Sequence, residues 1–236
     1  MSKLVWRTAL IKGWSYINRN WYRLIGKRLI DLTLSSLLMM VLLPIYALVA
    51  AAIWVFLGRP VFFRQRRPGL NERMFTMLKF RTMSSTCDAS GMLLPDHMRL
   101  TRLGQVLRAT SLDEIPELWN VFRGDMSLVG PRPLLVEYLP YYSAEQHRRH
   151  SVRPGITGLA QINGRNRTTW AERLGWDLHY IDSYSFVLDC KTLARTILAI
   201  FRDDGGIESI AALGRFRGCN GTDRALPDET RTERQP

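Results

Sequence analysis

The chain has 236 residues, with 33 Lys and Arg against 21 Asp and Glu, a net charge of +12 and a pI near 10.2. That length suits one domain of ordinary size plus extensions, and the charge calls for an anionic partner: nucleic acid, anionic lipid or a phosphorylated substrate. Three separated cysteines (Cys87, Cys190, Cys219) exclude a disulfide framework and imply a reducing compartment. The scattered histidines (His97, His147, His150, His179) give no zinc-site spacing, and His147 and His150 read as surface residues in a basic run.

The first 26 residues are basic and carry Trp6, Trp14, Tyr16, Trp21 and Tyr22. Aromatic rings among Lys and Arg suit a membrane headgroup layer, so this stretch reads as an interfacial segment. Leu32 through Leu57 then contains no charged residue. It is longer than the roughly 20 apolar residues that cross a bilayer, and it starts too late and runs too long for a secretory signal. Both flanks are basic, with Lys27 and Arg28 before it and Arg59, Arg64, Arg66 and Arg67 after it. The positive-inside rule puts both ends on the cytoplasmic side. Pro44 sits near the middle and should break the helix. Each half, at about 20 Å, falls short of a hydrocarbon core of roughly 30 Å. The segment 27–57 therefore reads as a re-entrant helical hairpin, with a spanning helix as the alternative, and Arg28 and Asp31 are spaced to pair at its entrance.

Val61 to Arg66 reads as a strand, Arg67-Pro68-Gly69-Leu70-Asn71 as a turn, and Arg73 to Phe80 as the returning strand. Residues 84–96 form a loop. Helical patterns follow near 98–109, 112–123, 133–150, 169–180 and 188–201. Val152 to Gly158 is a glycine-punctuated loop matching neither a P-loop nor a dinucleotide fingerprint. The tail after Gly218 is polar and charged and reads as disordered. The expected fold is α+β and mostly helical. It divides into an interfacial segment (1–26), a re-entrant membrane helix (27–57), a cytoplasmic catalytic domain with a small β-hairpin (58–218) and a tail (219–236).

The chemistry concentrates in Thr110-Ser111-Leu112-Asp113-Glu114-Ile115-Pro116. Two adjacent carboxylates stand at an expected helix start, with Arg102, Arg108, Arg123 and Arg132 close in sequence. Fixed cations and a helix N-terminus favour the ionised form. An ionised carboxylate can serve as a nucleophile or a metal ligand, and the arginines suit a phosphate. Ser111-x-x-Glu114 equally fits a capping box, in which Glu114 only caps the helix. Neighbouring residues on a helix point apart, so Asp113 and Glu114 should do different jobs. Arg108 lies close enough before Asp113 for a cap turn to bring it to the same mouth.

With these residues in view, the chain resembles the monotopic phosphoglycosyl transferases of the bacterial sugar transferase family over about residues 27–218. The motifs are Lys27-Arg28-x-x-Asp31, Lys79-Phe80-Arg81-Thr82-Met83, Leu107-Arg108-x-x-Ser111-Leu112-Asp113-Glu114-x-Pro116, Trp119-Asn120-Val121, Gly124 through Pro133, and Arg153-Pro154-Gly155-Ile156-Thr157-Gly158. The run Gly158 to Asn166, with Phe216-Arg217-Gly218, is most similar to the small members that transfer phospho-N,N'-diacetylbacillosamine. Leu43 stands before Pro44 where the family often carries Ser.

The resemblance implies that Asp113 attacks the β-phosphorus of a UDP-sugar, releasing UMP, and that polyprenyl (undecaprenyl) phosphate then takes the phosphosugar from the enzyme. It implies Mg²⁺ as cofactor, with Glu114 and Asp113 as its neighbours. Lys79, Arg81, Arg108, Pro131, Arg132, Pro133 and Asp177 are implied as substrate-binding positions. It further implies a bacterial inner membrane location with the catalytic domain facing the cytoplasm, contact with membrane lipids, and a product passed to downstream glycosyltransferases. A glycosyltransferase that moves only the sugar would release UDP instead. Nucleic acid is not an expected partner, since no recognised binding motif accompanies the charge.

Overall fold

The computed structural model describes residues 21–163, 169–201 and Phe216. Most of the interfacial segment, the Gly164-Arg165-Asn166 end of one motif and the tail lie outside these residues. Helix α1 (Lys27–Val41), preceded by the π-helical turn Tyr22–Gly26, and helix α2 (Leu43–Leu57) meet at Leu42 with a bend of 62°. No single helix among the described residues is long and apolar enough to cross a membrane. The break falls just upstream of the expected Pro44. Pro44 offers no N–H to the Met40 carbonyl and its ring crowds that oxygen, so the chain turns before reaching it. The rungs on either side survive, from Leu42 N to Leu38 O and from Tyr46 N to Leu42 O, both at 2.8 Å.

The two helices dock on the domain by different means. The Lys27-Arg28-x-x-Asp31 motif is a fastening in which each residue grips a separate element. The Lys27 Nζ lies 2.6 Å from Asp189 Oδ2. The Arg28 guanidinium donates to the Val121 and Phe122 carbonyls at 2.6 and 2.7 Å. Asp31, 3 % exposed, accepts from Leu128 N at 3.0 Å. The expected Arg28–Asp31 pair does not form, because a helix C-terminus offers Arg28 orphan carbonyls and a buried N–H claims Asp31. Helix α2 seals apolar surface instead: Val49 and Ile53 pack with Phe80 and Leu107. Its other side leaves Leu43, Ile45, Leu48, Trp54, Val55 and Phe56 exposed.

Strands β1 (Phe62–Pro68) and β2 (Met74–Phe80) pair antiparallel from Phe62↔Phe80 to Pro68↔Met74. The expected turn residues Arg67 and Pro68 thus extend the first strand, and the reversal is made by Leu70–Glu72, where Asn71 and Glu72 have positive φ. Helix α3 (Arg102–Ala109) starts at Thr101, whose Oγ1 accepts from Gly104 N at 3.0 Å.

The expected helix over 112–123 is split. Leu112–Glu114 is a 3-10 turn, Ser111 is left-handed at φ 56°, and helix α4 (Glu117–Arg123) follows Pro116. Ser111 makes no side-chain cap, so the capping-box reading of Glu114 fails. Asn120, 1 % exposed, joins α4 to β2: it accepts from Leu78 N at 3.0 Å and donates to Thr76 O at 2.8 Å.

The expected helix over 133–150 is also broken, into a 3-10 run Val136–Tyr141, a helical turn Ala144–His147 and a second 3-10 turn Arg148–Ser151. Pro140 lies inside the first piece and cannot donate there. The Ser143–Gln146 capping box restarts the chain. Within this segment His150 is buried, at 6 % exposure, and is not the surface residue expected. Helices α5 (Trp170–Ser183) and α6 (Phe186–Phe201) fall where the periodicity predicts, α5 opening on a Thr169–Glu172 capping box.

The loop 152–158 holds a ladder that the sequence pattern does not reveal. Strand β4 (Gly155–Thr157) pairs parallel with β3 (Ser127–Val129), in register Ser127↔Gly155 and Val129↔Thr157. The crossing is backbone on backbone. A Cβ on Gly155 would lie 2.1 Å from Gly130 N and 2.4 Å from Thr157 O. Gly155→Ala should therefore cost ~3 kcal/mol or more, since backbone cannot yield as a side chain does. Thermal unfolding in detergent measures this; an unchanged Tm would refute the close approach.

Candidate active site

Four elements converge around the acids. The 3-10 turn supplies Asp113 and Glu114, β2 supplies Lys79, α4 supplies Glu117, and the loop after β3 supplies Arg132. Lys79 Nζ sits 2.6 Å from Glu114 Oε1 and 3.3 Å from Glu117 Oε1. Arg132 Nη2 donates to the same Glu114 oxygen, and Arg132 Nη1 reaches Ile156 O at 3.5 Å. Burial alone would raise the Glu114 carboxyl, but Arg132 and Lys79 outweigh it and hold it down at about 2. Glu114 is thus a permanent anion clamped between two cations.

Asp113 behaves differently. It is 8 % exposed, and none of the described residues hydrogen-bonds its carboxylate. Burial, reinforced by the Glu114 charge, pushes its carboxyl above the usual Asp value, against the pull of Lys79, Arg108 and Arg132. The sequence-based expectation that the surrounding cations dominate holds for Glu114 and is reversed for Asp113. The reason is that Asp113 is desolvated without direct donors. A carboxylate so placed is poorly solvated and unencumbered, as a nucleophile should be.

The other expected site residues divide. Arg108 feels the Asp113 charge and donates from Nε to Thr82 Oγ1 at 3.1 Å. Pro131 and Pro133 are buried on either side of Arg132, and the Pro131 carbonyl accepts from Gly155 N at 3.0 Å. Arg81 points elsewhere, donating to the Met83 and Arg59 carbonyls at 2.8 and 3.0 Å.

Asp177 does not reach the acids. It is 4 % exposed and takes two hydrogen bonds on Oδ2, from Arg149 Nε at 3.0 Å and Nη2 at 2.7 Å. The same Nη2 donates to the Arg132 carbonyl at 2.8 Å. Asp177 therefore lies behind Arg132, joined to its backbone through Arg149.

Two residues escape the sequence reading. Glu117 is 1 % exposed. Burial raises its carboxyl, Lys79 opposes and Glu114 reinforces, and the result is about 7. Its spacing from Glu114, three residues on, was the available signal. Arg67 is the second. Its Nε and Nη1 are buried without a hydrogen-bond partner. Burial, then the Arg132 charge, lower its guanidinium to about 10. Its place in an expected turn hid it. An under-satisfied buried guanidinium beside Arg132 favours an anion.

The oxygen donors suit a hard cation. Asp113, Glu114 and Glu117 are all carboxylates, and buried Glu117 has only a 3.3 Å contact from Lys79 on its Oε1. They do not converge as a ready three-ligand cage. Mg²⁺ characteristically takes one or two carboxylates and completes its shell with water and substrate phosphate, so the set fits that ion in company with a phosphorylated ligand.

Residues 21–203 match the family model for the bacterial sugar transferases. The chain belongs to that family. This bacterial sugar transferase is 49 % identical over 182 residues to a Bacillus subtilis protein named uncharacterized sugar transferase EpsL, covering 77 % of this chain and 90 % of that one. It is 41 % identical over 188 residues to the UDP-glucose:undecaprenyl-phosphate glucose-1-phosphate transferase of Caulobacter vibrioides, covering 75 % of this chain and 70 % of the relative. It is 43 % identical to the undecaprenyl-phosphate glucose phosphotransferase of Komagataeibacter xylinus, of which it spans only 35 %.

Proposed function

We propose that this sugar transferase moves a sugar phosphate from a UDP-sugar to undecaprenyl phosphate through a covalent aspartyl phosphosugar. The observation that carries the reading is the contrast within the dyad: a buried, unbonded Asp113 beside a Glu114 clamped by Lys79 and Arg132. An Asp113 oxygen bonds to the β-phosphorus, the bond to the bridging oxygen breaks, and UMP leaves with that electron pair. A phosphate oxygen of the polyprenyl phosphate then attacks the same phosphorus, and the Asp113 carboxylate is restored. Arg132, Arg108 and Arg67 balance the negative charge of the phosphoryl oxygens, and Lys79 holds Glu114 in place. Mg²⁺, held by Glu114 and Asp113 with Glu117 at hand, would supply further charge neutralisation.

The exposed apolar side of α2 and the bend at Leu42 support a re-entrant insertion from the cytoplasmic face of the bacterial inner membrane. That depth suits a substrate whose tail stays in lipid, since extracting it would cost heavily in exposed apolar surface. Relatives named for UDP-glucose favour glucose as donor, whereas the Gly158-to-Asn166 motif favours N,N'-diacetylbacillosamine. The product would feed downstream glycosyltransferases.

The deciding experiment is nucleotide release by nanodisc-embedded protein given undecaprenyl phosphate, Mg²⁺ and a panel of UDP-sugars. UMP appearing with one sugar is expected and names the donor. UDP would refute phosphosugar transfer in favour of plain glycosyl transfer.

A further inference from the structure

Away from the dyad, three metal-ligating side chains meet where the β1–β2 turn touches the segment 144–151. Glu72, His147 and His150 place one donor atom each within 4.8 Å of one another. His147 Nδ1 lies 2.5 Å, and His150 Nδ1 3.6 Å, from Glu72 Oε1. His150 is 6 % exposed, and neither of its ring nitrogens has a hydrogen-bond partner among the described residues. A buried imidazole held only by long contacts, such as the 3.6 Å one to Glu72, is costly unless something uses a lone pair.

We propose that Glu72, His147 and His150 form a binding site for a divalent transition ion, Zn²⁺ foremost, that pins the hairpin turn to the 144–151 segment. Two imidazole nitrogens and one carboxylate oxygen are a borderline donor set, suited to Zn²⁺ and not to Mg²⁺. Donors on one tetrahedral zinc stand roughly 3.3 Å apart at Zn–N distances near 2.0–2.1 Å. The observed 2.5 and 3.6 Å separations reach that with small side-chain shifts. Glu72 and His147 are partly exposed, at 40 % and 39 % of their side chains, which leaves an entry path and room for water as fourth ligand.

The site is structural. Its ligands flank Arg149, whose guanidinium holds the Arg132 carbonyl, so the ion would steady the phosphate-binding side of the active site without touching substrate. Tyr142, 5.7 Å from both imidazole rings, packs against them and fixes their direction.

The test uses full-length, tag-free protein in detergent, stripped with chelator and then titrated with Zn²⁺, Co²⁺ or Mg²⁺. About one Zn²⁺ per chain should bind, Tm should rise by roughly 3–8 °C, and Co²⁺ should give the visible absorption of a four-coordinate site. Mg²⁺ should do neither. Glu72→Gln and His147→Asn, both at partly exposed positions, should weaken Zn²⁺ binding at least about tenfold. Glu114→Gln should leave it intact, which separates this site from the dyad and from the proposed transferase reaction. The proposal is overturned if the wild-type protein takes up no Zn²⁺, or if uptake survives both ligand substitutions or is lost with Glu114→Gln.

Discussion

Asp113→Asn should yield a protein that is inactive yet folds at least as well as the parent. Removing the attacking carboxylate should lower kcat by roughly 10⁴-fold or more, because the neighbouring Glu114 is tied up by Lys79 and Arg132. The stability side follows from burial. The Asp113 carboxyl is raised in the folded protein above its ordinary 3.8. It therefore binds its proton more tightly folded than unfolded. The stability this gives is complete below pH 3.8 and is lost as pH climbs through the raised folded value. At neutral pH the ionised side chain is a cost of folding, and Asn, of the same size and uncharged, relieves it. Tm should stay equal or increase while turnover vanishes, a trade expected where activity requires a desolvated charge. The same titration should set the acid limb of kcat/KM above the usual Asp range in the parent enzyme. Turnover near the parent level, after mass spectrometry excludes deamidation back to Asp, would sink the nucleophile assignment. A large fall in Tm would show that the carboxylate serves the fold.

The second large effect belongs to Asp177→Asn. Arg149 is 3 % exposed and its cation is met by Asp177 through two short hydrogen bonds. Asn at this position would leave a buried guanidinium uncompensated, at a cost of about 3–5 kcal/mol. The loss should be visible as a drop in Tm measured in detergent, and kcat should fall with it because Arg149 Nη2 also holds the Arg132 carbonyl. A double replacement, Asp177→Leu with Arg149→Met, separates the two roles. It removes both charges and should restore most of the stability without restoring kcat. If Asp177→Asn unfolds within about 1 kcal/mol of the parent, the pair is not the support described here; if the double variant regains full activity, Arg132 does not depend on it.

Much was legible in the chain because the signals were local. The uncharged run 32–57, the β-hairpin, α5 and α6 follow from periodicity, capping residues and the length of an apolar stretch, each read within a few neighbouring positions. Lys79, Asp113, Glu114 and Arg132 could be singled out by residue type and motif, and the structure brings all four together.

What resisted reading depended on contacts between distant segments. The Arg28–Asp31 pair was plausible from spacing alone, yet each residue is claimed by a different part of the domain. The β3–β4 ladder rests on two three-residue strands that no local pattern marks, and on glycines whose need appears only when backbones touch. His150 looked like one more basic surface residue until the hairpin turn covered it. The opposite titration of two adjacent acids has the same origin. Sequence supplies the charges of Asp113 and Glu114, but desolvation and direct ion pairing depend on where Lys79, Arg132 and the core fall around them. The chain by itself determined which chemistry is available; the tertiary structure decided which carboxylate is clamped and which is left free to attack.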